Sequence, residues 1–164
     1  MAFQTTDLSD RLGDAARVAD PVFRDFGGAR AFAGAVATVK VFEDNVLVKA
    51  ALSEPGRGRV LVVDGGGSLR CALLGDLVAG LAVDNGWAGV LVHGCVRDTE
   101  TLARLPLGIK ALAPHPARSV KRGEGQRDVD VRFAGIVFRP GDFLVADADG
   151  VVVLSEPPLP TPAP

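Results

Sequence analysis

The chain has 164 residues, of which 48% are hydrophobic and 23% charged, and its formal net charge is −2. That composition is enough for one self-supporting domain and excludes an intrinsically disordered chain. With one tryptophan, no tyrosine and no excess of positive charge, it also excludes direct nucleic-acid binding through stacking platforms and phosphate contacts.

Thr5, Thr6, Asp7, Ser9 and Asp10 offer N-caps to a short helix over 12–16. Residues 26–30, with two adjacent glycines, read as a turn. The β-branched and small residues of 33–42 predict a strand, and 46–52 a short helix ended by Pro55-Gly56. Val60-Leu61-Val62-Val63 is apolar on both faces, which predicts a strand covered on both sides, and it runs into Asp64-Gly65-Gly66-Gly67-Ser68. Leu74, Leu77, Val78, Leu81 and Ala82 recur at helical spacing and predict a helix over 73–85, with Gly86 as its C-cap. Residues 89–93 form a second buried strand. Strand, glycine turn, helix and strand make one βαβ unit with parallel strands.

Beyond it, 99–105 reads as a helical turn stopped by Pro106, and 109–113 as a strand. Residues 114–125 contain two prolines and two glycines and read as a loop, whose basic residues Arg118, Lys121 and Arg122 are expected to be solvated. The last third is β-rich: 129–133, 136–138, 143–146 and 151–154, separated by the turns Pro140-Gly141-Asp142 and Asp147-Ala148-Asp149-Gly150. Five prolines fall in residues 157–164, which predicts a flexible tail after a single domain over 1–156. No apolar run approaches the ~20 residues of a membrane-spanning helix, so no membrane partner is expected. Cys71 and Cys95 form no CxxC pair and follow no secretory-type leader, which predicts reduced thiols and a cytoplasmic protein.

In open α/β sheets ligands collect beyond the carboxyl ends of the strands. The glycine turn, Asp76 near the start of the crossover helix, and Arg97-Asp98 after the second strand all fall at that edge. A carboxylate there can hold a divalent cation, an arginine can neutralise a substrate carboxylate or developing enolate, and a helix start can bind anionic oxygens. Taken singly, Asp98 reads as the cap of the helix beginning at Thr99 and Asp76 as a complement to the helix dipole. Taken together, they point to a site for a small keto acid bound to a metal. The glycine turn is also similar to the first motif of a nucleotide- or S-adenosylmethionine-binding fold, but the next strand ends in His93-Gly94 where a ribose-binding acid would stand. His93 and His115 lack metal-ligand spacing, Cys95 reads as packing, and Asp147 and Asp149 as a plain turn.

Val41-Phe42-Glu43-Asp44-Asn45, the stretch from Gly58 to Arg70, Gly94-Cys95-Val96-Arg97-Asp98, residues 135–138 and residues 140–151 resemble the RraA family, and the likeness extends over roughly 6–154. It implies an α/β fold of the swivelling β/β/α type, assembled as a homotrimer or a dimer of trimers with sites at subunit interfaces. The family holds metal-dependent class II aldolases that cleave 4-hydroxy-4-methyl-2-oxoglutarate to pyruvate, often with oxaloacetate decarboxylase activity. It also holds regulators that bind and inhibit ribonuclease E, and members once carried a menaquinone-pathway methyltransferase label. The aldolase type is marked by Asp, twenty residues, then Arg-Asp, which here are Asp76, Arg97 and Asp98; the regulators replace the last aspartate. By this resemblance Asp98 holds Mg²⁺ or Mn²⁺, and Arg97 and Asp76 act in catalysis. The backbone N–H groups of Gly75, Asp76, Leu77 and Val78 join Arg97 in binding the keto acid, and the glycine turn joins the pocket wall.

Overall fold

A computed structural model of the chain describes residues 3–160. In chain order its elements are α1 (Thr5–Leu12), β1 (Arg17–Val18), β2 (Arg24–Asp25), β3 (Phe32–Lys40), α2 (Val46–Leu52), β4 (Val60–Asp64), β5 (Ala72–Leu74) and α3 (Asp76–Asp84). There follow β6 (Gly89–Val96), α4 (Thr99–Leu102), β7 (Gly108–Pro114), β8 (Gln126–Arg127), β9 (Val131–Phe133), β10 (Ile136–Phe138), β11 (Phe143–Asp147) and β12 (Gly150–Leu154). The main sheet runs β1-β12-β11-β3-β4-β6-β7-β2, with β5 added beside the far end of β6 and β8 beside the end of β3. Its centre, β3-β4-β6-β7, is parallel, and both wings are antiparallel.

The expected βαβ unit is present: β4 and β6 pair in parallel from Val60↔Gly89 to Asp64↔His93, with α3 in the crossover. Alternation explains why the run is apolar throughout. Leu61, Val63, Val90, Val92 and Ile109 pack on one face against α2 and α3, through Val48, Leu52, Ala79 and Ala82. Val60, Val62 and Leu91 pack on the other face against Phe133, Phe138, Leu144 and Val153. The strands therefore lie between a helical layer and a second β layer that contains the β9–β10 hairpin. This is the β/β/α arrangement, in a single domain. Phe32 lies across the sheet where β6 and β7 both begin with glycine; a methyl group at Gly89 or Gly108 would overlap its ring.

Three local expectations are corrected. The first α-helix spans Thr5–Leu12, and the expected 12–16 holds only a 3-10 turn at Gly13–Ala15, because the helix cap comes from far away: Asp147 accepts the Thr5 backbone N–H at 2.8 Å and the Thr5 hydroxyl at 2.7 Å. Burial opposes ionisation of Asp147, but the hydrogen bonds from Thr5, Asp149 and Gly150 outweigh it and lower its pKa. The crossover helix begins at Asp76 and not at 73, because Leu73 and Leu74 belong to β5 and continue the sheet alongside β6; a short apolar run fits either period. Residues 114–125 are not a free loop. Val120 and Arg118 bridge to Asp44 and Ala72, and Ser119 is buried. The strands β1, β2, β5 and β8, each of two or three residues, had no alternation long enough to announce them. Residues 161–164 of the expected tail lie outside the described residues. Of the rest of the tail, Leu159 accepts a hydrogen bond from Arg11 at 3.4 Å. No helix among the described residues is long and apolar enough to cross a membrane.

Candidate active site

A cleft of about 500 Å³ opens where β5 and β6 end and α3 begins, and Gly75, Asp76, Leu77, Val78, Arg97 and Asp98 all line it. The fold thus brings together the residues expected to hold the metal, bind the keto acid and act in catalysis. Asp98 sits in the left-handed region (φ 57°, ψ 41°), which aspartate tolerates better than most residues. Its side chain does not cap α4, the helix it precedes. It turns back, and its Oδ2 accepts the backbone N–H of Asp76 at 3.0 Å. The plain capping role is therefore not the one this carboxylate plays. Asp76 does keep part of its plain role, since its Oδ1 accepts the N–H of Leu77 at 2.8 Å at the start of α3.

Arg97 is fixed at its backbone by an N–H bond to the Leu74 carbonyl at 2.9 Å. Its guanidinium donates to the Pro116 carbonyl at 3.4 Å, and Nε stands 3.9 Å from Asp98 Oδ2. Both side chains are open to the cleft, with Arg97 40% and Asp98 37% exposed. The four N–H groups at the helix start divide evenly. Those of Asp76 and Leu77 are taken by the two carboxylates. Those of Gly75 and Val78 meet no acceptor among the described residues. Gly75 matters for a steric reason: a Cβ there would stand 2.7 Å from Asp98 Oδ2 and 3.4 Å from Arg97 Nε.

The glycine turn does not line this cleft. Asp64 Oδ1 accepts the Gly66 N–H at 2.9 Å, and the Gly67 N–H goes to the His93 carbonyl at 3.1 Å. The turn is closed on itself and borders a separate cavity of about 510 Å³ that is also lined by Lys40, Asp64 and Glu124. The expectation that it walls the keto-acid pocket is corrected, because the chain needs β5 to get from the turn to α3. His93 lies on the other face of the sheet, stacked on Phe133 at 4.7 Å, where burial lowers its pKa despite the nearby Asp64. His115 Nδ1 accepts the Ala117 N–H at 3.1 Å. Burial pushes both thiols, Cys71 and Cys95, above the usual range, and at Cys95 it outweighs the opposing charge of Arg24.

Sequence reasoning missed one wall of the cleft. Asn45, Lys49, Arg118, Ser119 and Lys121 face the Asp76–Asp98 side. The cluster read as a solvated loop thus contributes Arg118 and Lys121 to the site. Lys49 carried no signal beyond its exposed place on α2.

A divalent cation fits this donor set only in one manner. No group of three or more His, Cys, Asp or Glu side chains that could hold a metal occurs among the described residues. That does not suit a zinc centre closed by protein ligands. It does suit Mg²⁺ or Mn²⁺, which keep several waters and take one or two carboxylates.

The RraA-like family model, described as Aldolase/RraA, matches residues 5–153. A protein of Alkalilimnicola ehrlichii, provisionally named a 4-hydroxy-4-methyl-2-oxoglutarate aldolase, is 63% identical over 153 residues, covering 93% of this chain and 95% of its own. Among solved structures, the RNA-processing inhibitor RraA of Thermus thermophilis is 52% identical with a TM-score of 0.94, covering 99% of each chain. A Geobacillus kaustophilus structure described as an S-adenosylmethionine:2-dimethylmenaquinone methyltransferase is 46% identical with a TM-score of 0.94, covering 98% of this chain and 100% of its own. Motif, fold and these likenesses agree, and the chain belongs to the RraA-like family.

Proposed function

We propose that this chain is a divalent-metal-dependent class II aldolase that cleaves 4-hydroxy-4-methyl-2-oxoglutarate into two pyruvates and decarboxylates oxaloacetate as a side activity. The observation that carries this reading is the orientation of Asp98. A carboxylate that leaves its own helix uncapped, and turns toward Arg97 and a helix start inside a cleft, is placed for a ligand.

Asp98 would hold Mg²⁺ or Mn²⁺, and such a cation, when bound, draws electron density from the 2-oxo group. The free N–H groups of Gly75 and Val78 bind the adjacent carboxylate, aided by the positive end of α3. Arg97 neutralises the negative charge that develops on the 2-oxo oxygen as the carbon–carbon bond breaks. Asp76, through its second oxygen and a water molecule, takes the proton from the 4-hydroxyl group and returns one to the carbon left behind. Oxaloacetate loses carbon dioxide with the same charge developing at the same oxygen, so the same arginine serves both reactions. The homotrimer or dimer of trimers, with the site at subunit interfaces, follows from the family resemblance, and Leu77, 82% exposed at the cleft, is an apolar side chain open to such a contact.

The test is pyruvate release from oxaloacetate, followed with added Mg²⁺ or Mn²⁺. Activity should appear with metal and vanish on chelation; activity indifferent to chelation would remove the metal from the reading. A second reading, non-catalytic regulation of ribonuclease E, is favoured by the likeness to the Thermus inhibitor. It predicts a complex with ribonuclease E that survives chelation. The methyltransferase alternative is disfavoured, because the glycine turn spends the N–H groups of Gly66 and Gly67 on its own chain.

The geometry around Gly75 adds a prediction. The atoms nearest to a Cβ in Gly75→Ala belong to side chains, Asp98 Oδ2 at 2.7 Å and Arg97 Cγ and Nε at 3.4 Å, and the backbone angle is one that alanine accepts (φ −127°). Stability should change by less than about 1 kcal/mol. Turnover should fall about tenfold or more, because displacing a reacting group by a fraction of an ångström is costly. Parallel melting and turnover measurements check this, and full activity would show that the close approach at Gly75 is unimportant.

A further inference from the structure

The strand β7 buries a lysine. Ile109 and Ala111 pack against the helical layer, so alternation turns Lys110 to the opposite face, beside Leu91, which packs into the β layer. The Lys110 side chain is only 4% exposed. A buried ammonium group is costly unless both its charge and its donors are met. Asp25, its register partner on β2, meets the charge, with Nζ 3.0 Å from Oδ1. It does not meet the donors. The contact is too bent for a hydrogen bond, and the buried Oδ1 of Asp25 has no hydrogen-bond partner among the described residues. One bent contact leaves the three donors of an ammonium group open. Lys110 therefore calls for an acceptor, and Asp25 for a donor.

Both side chains line a cavity of about 390 Å³, closed by residues 18–23 and by the turn between β11 and β12. It shares no lining residue with the cleft at the start of α3. Two further carboxylates, Asp20 and Asp149, line it, and both are exposed. One cation thus meets three anions, a balance that repels a simple keto acid. Among the described residues, no three His, Cys, Asp or Glu side chains stand close enough to hold a metal ion. Only an extended organic cation can meet all three carboxylates. Val18, Phe23 and Val151 offer apolar wall to the methylene chain of such a ligand.

We infer that this cavity binds a free amino acid with a cationic side chain. Lys110 takes its carboxylate, Asp25 takes its α-ammonium group, and Asp20 and Asp149 take the charge at the far end. The ligand supplies the acceptor that Lys110 lacks and the donor that Asp25 Oδ1 lacks. The site is separate from the aldolase reading, and neither depends on the other.

The test is calorimetric titration of the full chain with L-lysine and L-arginine, beside analogues that each lack one charge. Cadaverine and agmatine lack the carboxylate, the Nα-acetyl derivatives lack the α-ammonium charge, and L-norleucine lacks the side-chain charge. The parent amino acids should bind about tenfold or more tightly than each analogue, as expected for one charge-assisted hydrogen bond. In Asp20→Asn/Asp149→Asn, which alters only exposed side chains, the advantage over L-norleucine should disappear. In Lys110→Met the advantage over cadaverine and agmatine should disappear. Binding of neither amino acid overturns the site. Analogues that bind as tightly as their parents overturn it as well, because general attraction of cations to an acidic surface gives that result. Should Lys110→Met not fold, the native protein decides the role of Lys110: equal affinities for L-lysine and cadaverine overturn it.

Discussion

Asp98→Asn lowers metal-dependent pyruvate release from oxaloacetate by about 10³-fold or more, roughly 4 kcal/mol of transition-state stabilisation, and leaves the fold intact. Asparagine is the informative replacement because it tolerates the left-handed backbone that Asp98 occupies. Its amide oxygen can still accept the Asp76 N–H that Asp98 Oδ2 accepts at 3.0 Å. Only the charge is removed, and a hard divalent cation depends on that charge. Asp98→Ala should lose activity equally, with a further stability cost of about 1 kcal/mol for alanine at that backbone angle. Steady-state rates across a Mn²⁺ titration, with thermal melting alongside, make the measurement. Chelator-sensitive activity that persists in Asp98→Asn would place the metal elsewhere. The regulator reading predicts that ribonuclease E binding is indifferent to the same substitution.

Arg97→Ala should reduce kcat by about 10²- to 10³-fold, the range seen when a single donor to a developing oxyanion is removed. Mn²⁺ affinity should change little, because Arg97 Nε stands 3.9 Å from Asp98 and does not hold it tightly. Arg97→Lys should recover part of the charge but not the planar fork, and so a minor part of the rate. Direct Mn²⁺ binding measured beside kcat separates the roles. A fall in metal affinity as large as the fall in kcat would make Arg97 a support for Asp98 and not a partner of the substrate oxygen. Among the described residues the half-exposed guanidinium makes one long hydrogen bond, to Pro116 at 3.4 Å, so its removal should leave stability almost unchanged.

The two variants probe residues whose legibility in the sequence differed. Asp76, Arg97 and Asp98 were readable because their order along a βαβ unit sets which sheet edge they reach. β4 and β6 are apolar on both faces, and that pattern alone implies a parallel pair with cover on each side. Turn chemistry separated the later strands, and the helix over 46–52 was found at its full length. What Asp98 does was not readable. A side chain before Thr99 looks like a cap in one dimension, and only the arrival of α3 provides the Asp76 N–H that draws it away.

The misplaced elements have the same origin. The first helix gains its cap from Asp147, 142 residues away, and the wall carrying Arg118 and Lys121 is held by Asp44 through donors 78 and 80 residues along the chain. Leu73 and Leu74 carried a helical spacing that β6 overruled by offering a free strand edge. By itself the sequence determined what is written in local periods and turns: the central strands, the crossover and the Asp, Arg-Asp spacing. Tertiary structure alone decided where carboxylates find their distant donors, and so which way Asp98 points and which cations face it. A hydrogen bond between distant segments depends on the whole path of the chain, whereas a strand or helix period is complete within about ten residues.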